Sequence, residues 1–270
     1  MKRYITFILS LFVLLSFVGC SNQNNPSVTE TDEINNTTET TTFQDTSPVI
    51  QETVPKTEPT TPPTEAETVL HSGLCEDGSF SSGTLFIGDS LTYTFTGSYL
   101  PENGFLGEAK YAAQCGSQVT AFFDSTVLVG SNSLATRYSK EFEGMEFDEA
   151  AASLGEKAEA IYLMWGTNYT PDATEENYIE IVDFLLEKCP NATIHLQTIP
   201  HGNVKYTIVN QRVRDAYSHY QQTGEIRVLL IDTYSAIGNH TVDGVHLGLT
   251  GNTNWYKAIV DHAAANGLSK

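Results

Sequence analysis

The stretch Thr84-Leu85-Phe86-Ile87-Gly88-Asp89-Ser90-Leu91 decides how the rest of the chain is read. A short apolar run without polar alternation suits a strand buried on both faces, and Gly88 marks where it stops. A serine placed directly after such a strand, in a turn that Gly88 allows to bend, presents its hydroxyl at the carboxyl end of a sheet. On its own the motif is weak, because Gly, Asp and Ser are also ordinary turn and helix-cap residues.

Further apolar runs follow at Ala160 to Trp165, closed by Gly166, at Thr193 to Ile199 and at Ile226 to Ile231. Helical periodicity fills the intervals. Between Thr174 and Cys189 the residues Tyr178, Ile181, Val182, Leu185 and Cys189 recur at three- and four-residue steps, and Pro190 stops the pattern. A second helix is expected from about Ile208 to Gln222, closing at Gly224, and a third from Thr253 through Ala265. Strands alternating with helices of this length imply βαβ units, hence an α/β domain whose mostly parallel sheet is covered on both faces.

The second chemical element is Thr241-Val242-Asp243-Gly244-Val245-His246-Leu247, just before the last helix. A serine hydroxyl attacks an ester only with help from a base such as imidazole, and the imidazole needs a carboxylate to fix its tautomer. The three-residue spacing of Asp243 and His246 lets the carboxylate reach one ring nitrogen while the other faces Ser90. The plain alternative is a cap aspartate and a surface histidine, which the serine motif outweighs.

With these residues in view, the chain resembles the SGNH hydrolases, also called GDSL esterases, over residues ~80 to 265. Gly88-Asp89-Ser90-Leu91 matches the serine block, Gly116 in Gln114-Cys115-Gly116-Ser117 the glycine block, Gly166-Thr167-Asn168-Tyr169 the asparagine block, and Asp243-Gly244-Val245-His246 the Asp-x-x-His block. Tyr169 stands where the family usually carries aspartate, and Gly107 and Gly130 are weaker rivals for the glycine block. The resemblance implies a three-layer αβα sandwich with a flavodoxin-like sheet. It also implies a Ser90–His246–Asp243 triad, and an oxyanion hole built from the N–H groups of Ser90 and Gly116 and the side-chain amide of Asn168. No metal and no organic cofactor is called for.

The amino-terminal part reads differently. Lys2 and Arg3 precede an apolar stretch from Ile5 to Val18, too short for a confident membrane span, and Phe17-Val18-Gly19-Cys20 resembles the lipobox of bacterial lipoproteins. Residues 1–19 are therefore expected to be a signal peptide, with Cys20 lipidated and the protein held on the extracytoplasmic side of a membrane. Residues 20–70, rich in Thr, Glu, Asn and Pro, are expected to form a disordered linker, and 71–270 the hydrolase domain.

A net charge of −19 excludes phosphate-backbone binding as a main activity, so nucleic acid is not an expected partner. If Cys20 carries lipid, Cys75, Cys115 and Cys189 leave room for one disulfide at most, and buried reduced thiols fit equally well. A monomeric esterase removing acetyl groups from extracellular or cell-wall carbohydrate is the reading favoured. A lipid-directed esterase, lysophospholipase or thioesterase is its rival, and a non-catalytic glycan-binding lipoprotein the alternative from another class. Trp165, Tyr93, Tyr99 and Tyr169, close to the motif ends, either stack on sugar rings or pack in the core.

Overall fold

The computed structural model describes residues 68–130, 142–168, 170–200 and 205–270. The signal peptide, Cys20, all but the end of the linker, and Tyr169 lie outside the described residues.

Five parallel strands form the sheet: β1 (Thr84–Gly88), β2 (Lys110–Ala113), β3 (Ala160–Met164), β4 (Thr193–Gln197) and β5 (Val228–Ile231), in the order β2-β1-β3-β4-β5. This is the flavodoxin-like order. The order in which strands are added reverses between β1 and β3, and ligand sites of such sheets lie beyond the carboxyl ends of those two strands.

Alternate residues of each strand feed two apolar layers. Leu85, Ile87, Ile161, Leu163, Ile194 and Leu196 face one layer, with helices α3 (Phe147–Ala152), α4 (Glu175–Lys188) and α5 (Lys205–Thr223) supplying Phe147, Ile181, Leu185 and Val213. Phe86, Tyr162 and Met164 face the other. There α1 (Ser90–Thr94), a π-helical turn Phe95–Tyr99, α2 (Leu100–Glu102) and α7 (Leu249–Ala265) contribute Phe95, Leu100, Trp255 and Ile259. A short helix α6 (Thr233–Ile237) follows β5. The three-layer αβα arrangement expected from sequence is thus present.

The expected helix from Thr174 is α4, with Thr174 and Asn177 forming a reciprocal capping box at its start. Strand β2 is the one sheet element the sequence did not suggest. Of the two readings open for the aromatics near the motifs, Trp165 and Tyr99 take that of core packing. Trp165 is fully buried against Phe147, and Tyr99 is 6% exposed and stacked on Phe95. Cys75, Cys115 and Cys189 form no disulfide among the described residues.

Buried in the second layer, His195 of β4 stacks on Tyr162 with ring centroids 4.5 Å apart, and its Nε2–H donates to the His71 carbonyl at 2.9 Å. Burial pushes its pKa down to about 3. The unfolded chain takes up this proton near the ordinary histidine value of about 6.5, whereas the folded protein does not. Stability therefore rises with pH across the window from about 3 to 6.5. As pH falls through that window the loss approaches about 1.4 kcal/mol per unit. Urea unfolding between pH 7 and 5, above most carboxylate titration, should show this slope, and a His195→Phe variant, which keeps a ring on Tyr162, should reduce it to the part that His262, whose pKa burial also lowers, still contributes. Equal slopes in both proteins would exclude His195 as the cause.

Candidate active site

Ser90 opens α1 immediately after β1 and is 7% exposed. Gly88 is needed here for close approach and not for a left-handed turn, since a Cβ at this position would sit 2.0 Å from the Met164 carbonyl oxygen. The sequence expectation of a glycine-enabled bend is corrected accordingly: the strand can end so close to β3 because residue 88 has no side chain.

The Asp243–His246 segment is the tip of a narrow loop, closed by a bridge between Thr241 and Leu247 and by a bond from Val242 N–H to the His246 carbonyl at 2.8 Å. Asp243 Oδ1 accepts from the backbone N–H of Val245 at 2.9 Å and of His246 at 2.7 Å, which fixes the carboxylate. Its Oδ2 accepts from His246 Nδ1 at 2.7 Å. These donors, the imidazole first, hold the Asp243 carboxyl well below the usual carboxylate range. With Nδ1 carrying the proton, Nε2 is free to accept, and it lies 3.1 Å from Ser90 Oγ. Residues separated by 156 positions are thereby joined in one hydrogen-bonded line.

Gly116 occupies the third position of a tight turn from Gln114 to Ser117, closed by Ser117 N–H to the Gln114 carbonyl at 3.2 Å. Its φ of +82° suits glycine at that position of a type II turn. Asn168, beyond β3, donates from Nδ2 to the Ser117 carbonyl at 2.9 Å. The glycine and asparagine segments are therefore in direct contact, and the second Nδ2–H of Asn168 remains to be used.

Sequence reasoning missed the group that ties these segments to the serine. Asp89, fully buried, caps α1 by accepting Leu91 N–H at 3.0 Å. It also crosses to the loop after β3, accepting from Gly166 N–H at 3.2 Å, Thr167 N–H at 2.8 Å and the Thr167 hydroxyl at 3.1 Å. Burial pushes its carboxyl pKa up, and these donors pull against it. The visible signal was only an aspartate ahead of a helix, which reads as a cap.

No set of His, Cys, Asp and Glu side chains among the described residues is arranged to hold a metal ion. The geometry suits nucleophilic acyl transfer: a hydroxyl with a base in reach, the base oriented by a carboxylate, and amide donors close by.

No known family model and no curated protein matches the chain. Among solved structures it is similar to a family two carbohydrate esterase from Clostridium thermocellum in complex with cellohexaose, at 12% identity and TM-score 0.47, over 68% of this chain and 64% of that one. It is also similar to a peptidoglycan O-acetylesterase, at 16% identity and TM-score 0.41, over 59% of this chain and 47% of that one. A GDSL-like lipase from Parabacteroides merdae matches at 15% identity and TM-score 0.45, over 76% of this chain and all of that one. The chain thus spans less than two thirds of the length of the two esterases, and at these scores the likenesses carry no weight for the chemistry.

Proposed function

We propose that this protein is a serine esterase that removes short acyl groups, acetyl above all, from carbohydrate through a covalent acyl-enzyme. The single observation that carries the reading is the line from Ser90 Oγ through the His246 ring to Asp243, with separations of 3.1 and 2.7 Å. Ser90 Oγ attacks the ester carbonyl carbon as His246 Nε2 takes its proton, and Asp243 stabilises the imidazolium that results. The negative charge on the former carbonyl oxygen falls to the N–H groups of Ser90 and Gly116 and the Asn168 amide, each such donor worth about 10²–10³ in kcat. His246 then returns the proton to the departing alcohol. Water repeats the sequence and frees the acid and Ser90.

A lipid-directed esterase is the second reading. It is favoured by Val242 and Leu249, which flank the Asp243–His246 tip in sequence and are 73% and 71% exposed. The same chemistry would serve both. Comparing p-nitrophenyl acetate with the octanoate ester separates them: kcat/KM for acetate is expected to exceed that for octanoate by about tenfold or more, because even one methylene that an acyl pocket does not accommodate changes the ratio by about tenfold. Octanoate preference would transfer the assignment to lipid, and silence on both esters would leave only a binding protein. We further propose that Cys20 carries the lipid that keeps this domain at an extracytoplasmic membrane surface.

A further inference from the structure

Beside the candidate active site, the turn that carries Gly116 borders a cavity of about 320 Å³ whose polar lining comes from Gln114, Ser117, Gln118, Thr120 and Asp124. This volume lies at the lower end of the range for small-ligand sites, about 300–1,000 Å³. It is adjacent to both candidate oxyanion donors beyond Ser90. Gly116 itself lines it, and the Ser117 carbonyl receives the Asn168 amide. Gln114 is fixed at the head of the turn by its backbone N–H, which donates to the Gly88 carbonyl at 3.2 Å, two residues before Ser90.

The side chain of Gln114 is the anomaly. It is 6% exposed, and its Oε1 has no hydrogen-bond partner among the described residues. A buried amide oxygen left in this state costs free energy that a methionine of similar shape would not, so its presence in a residue lining the cavity calls for a partner that arrives from outside. An amide offers one acceptor oxygen and two N–H donors, and a hydroxyl, which both donates and accepts, matches either end. An alkyl acyl chain matches neither.

We propose that Gln114 is a substrate-recognition residue of this site, hydrogen-bonding a hydroxyl of the sugar ring whose ester is presented to Ser90. The proposal rests on the esterase reading and names the alcohol portion of the substrate as a single polyhydroxylated ring seated against the Gly116 turn. Gln118, Thr120 and Asp124 supply the further polar groups that such a ring requires.

The test compares wild type with Gln114→Met and Gln114→Ala on two alkyl acetates: mono-O-acetylated methyl glucosides, which carry free hydroxyls, and ethyl acetate, which carries none. The expected result is a wild-type preference in kcat/KM for the sugar acetates that falls about tenfold in Gln114→Met, the loss of one well-placed hydrogen bond. The same variant should unfold about 2–4 °C higher, since the unpartnered Oε1 has been removed. A merely structural Gln114 would show the opposite: a lower midpoint, with both esters losing rate in proportion. An unchanged ratio, as expected if the amide holds only an internal water, would equally overturn the proposal.

Failure of the esterase reading is a separate outcome, seen as wild-type silence on both acetates. In that case saturation-transfer NMR of methyl glucoside decides. A signal with wild type that is lost in Gln114→Met and Gln114→Ala upholds the recognition role, and no signal with wild type removes it.

Discussion

Replacing Ser90 with alanine is expected to lower kcat by about 10⁶-fold and to abolish covalent labelling by a fluorophosphonate. The size follows from the division of labour in the site. Without the hydroxyl no acyl-enzyme forms, and what remains is the help that oriented amides and substrate binding give to direct attack by water. His246→Ala should fall nearly as far, because an unassisted serine is a poor nucleophile at neutral pH. The double variant should be little worse than either single one, since the two residues act as a unit.

Stability separates this effect from misfolding. The Ser90 hydroxyl makes its side-chain bond to His246 alone among the described residues, and the Asp243–His246 pair is half exposed. Neither substitution opens a core cavity, so thermal unfolding should move by no more than about 2 °C. Substantial turnover in a folded Ser90→Ala protein would rule out the acyl-enzyme.

How far the sequence carried the reading differs from element to element, for physical reasons. Strands β1, β3 and β4 were legible because central parallel strands are buried on both faces and appear as continuous apolar runs, and β5, although an edge, because all four of its residues, Val228-Leu229-Leu230-Ile231, are apolar. Strand β2 is an edge, paired only with β1; its four residues begin with a lysine and end in two alanines, too short and too plain to stand out. Helix α5 begins at Lys205, ahead of the expected Ile208, and Ile208 is 53% exposed, so the apolar residue used to mark its start faces outward. Helix α7 begins at Leu249 instead of Thr253, since Gly251 inside the first turn reads as a breaker but is buried there against Leu247.

The candidate triad was legible because acyl transfer needs three chemically distinct side chains, and few residue types supply them. Its supports were not. Trp165 and Tyr99 looked available for sugar because composition marks aromatics near a motif without marking which way they face. Gln114 is marked in the sequence only as a neighbour of Gly116, and nothing in a sequence reports that a buried amide oxygen lacks a partner. Asp89 was hidden by its own cap role, because the groups that matter to it, on Gly166 and Thr167, lie 77 and 78 residues away.

Asp89→Asn is the second substitution from which a large effect is expected, and it acts at a distance from the reacting atoms. The two carboxylate oxygens of Asp89 accept four hydrogen bonds, three of them from backbone N–H groups that have no other role than donor. An amide of the same shape must turn an NH₂ toward one side. Facing Gly166 and Thr167, it sets donor against two donors; facing Leu91, it sets donor against one and leaves only the Thr167 hydroxyl able to reverse. Each arrangement strands at least one buried N–H and replaces charge-assisted bonds with neutral ones, a loss on the order of 3 kcal/mol in stability.

The catalytic consequence follows from what those bonds position. Thr167 is the residue before Asn168, whose amide already rests on the Ser117 carbonyl beside Gly116. Releasing Thr167 lets the asparagine and glycine donors drift relative to Ser90, and an oxyanion donor displaced from its position loses most of its advantage in the transition state while affecting ground-state binding little. Asp89→Asn should therefore lower kcat by about 10²-fold or more with KM changed by less than about threefold. Fluorophosphonate labelling should slow and still go to completion, since Ser90, His246 and Asp243 remain. Asn168→Ala in the Asp89→Asn background should add little further loss, because both changes remove the same donor. If Asp89→Asn weakens stability but leaves kcat intact, the carboxylate is a fold tie alone, and the alignment of Asn168 must come from its bond to Ser117.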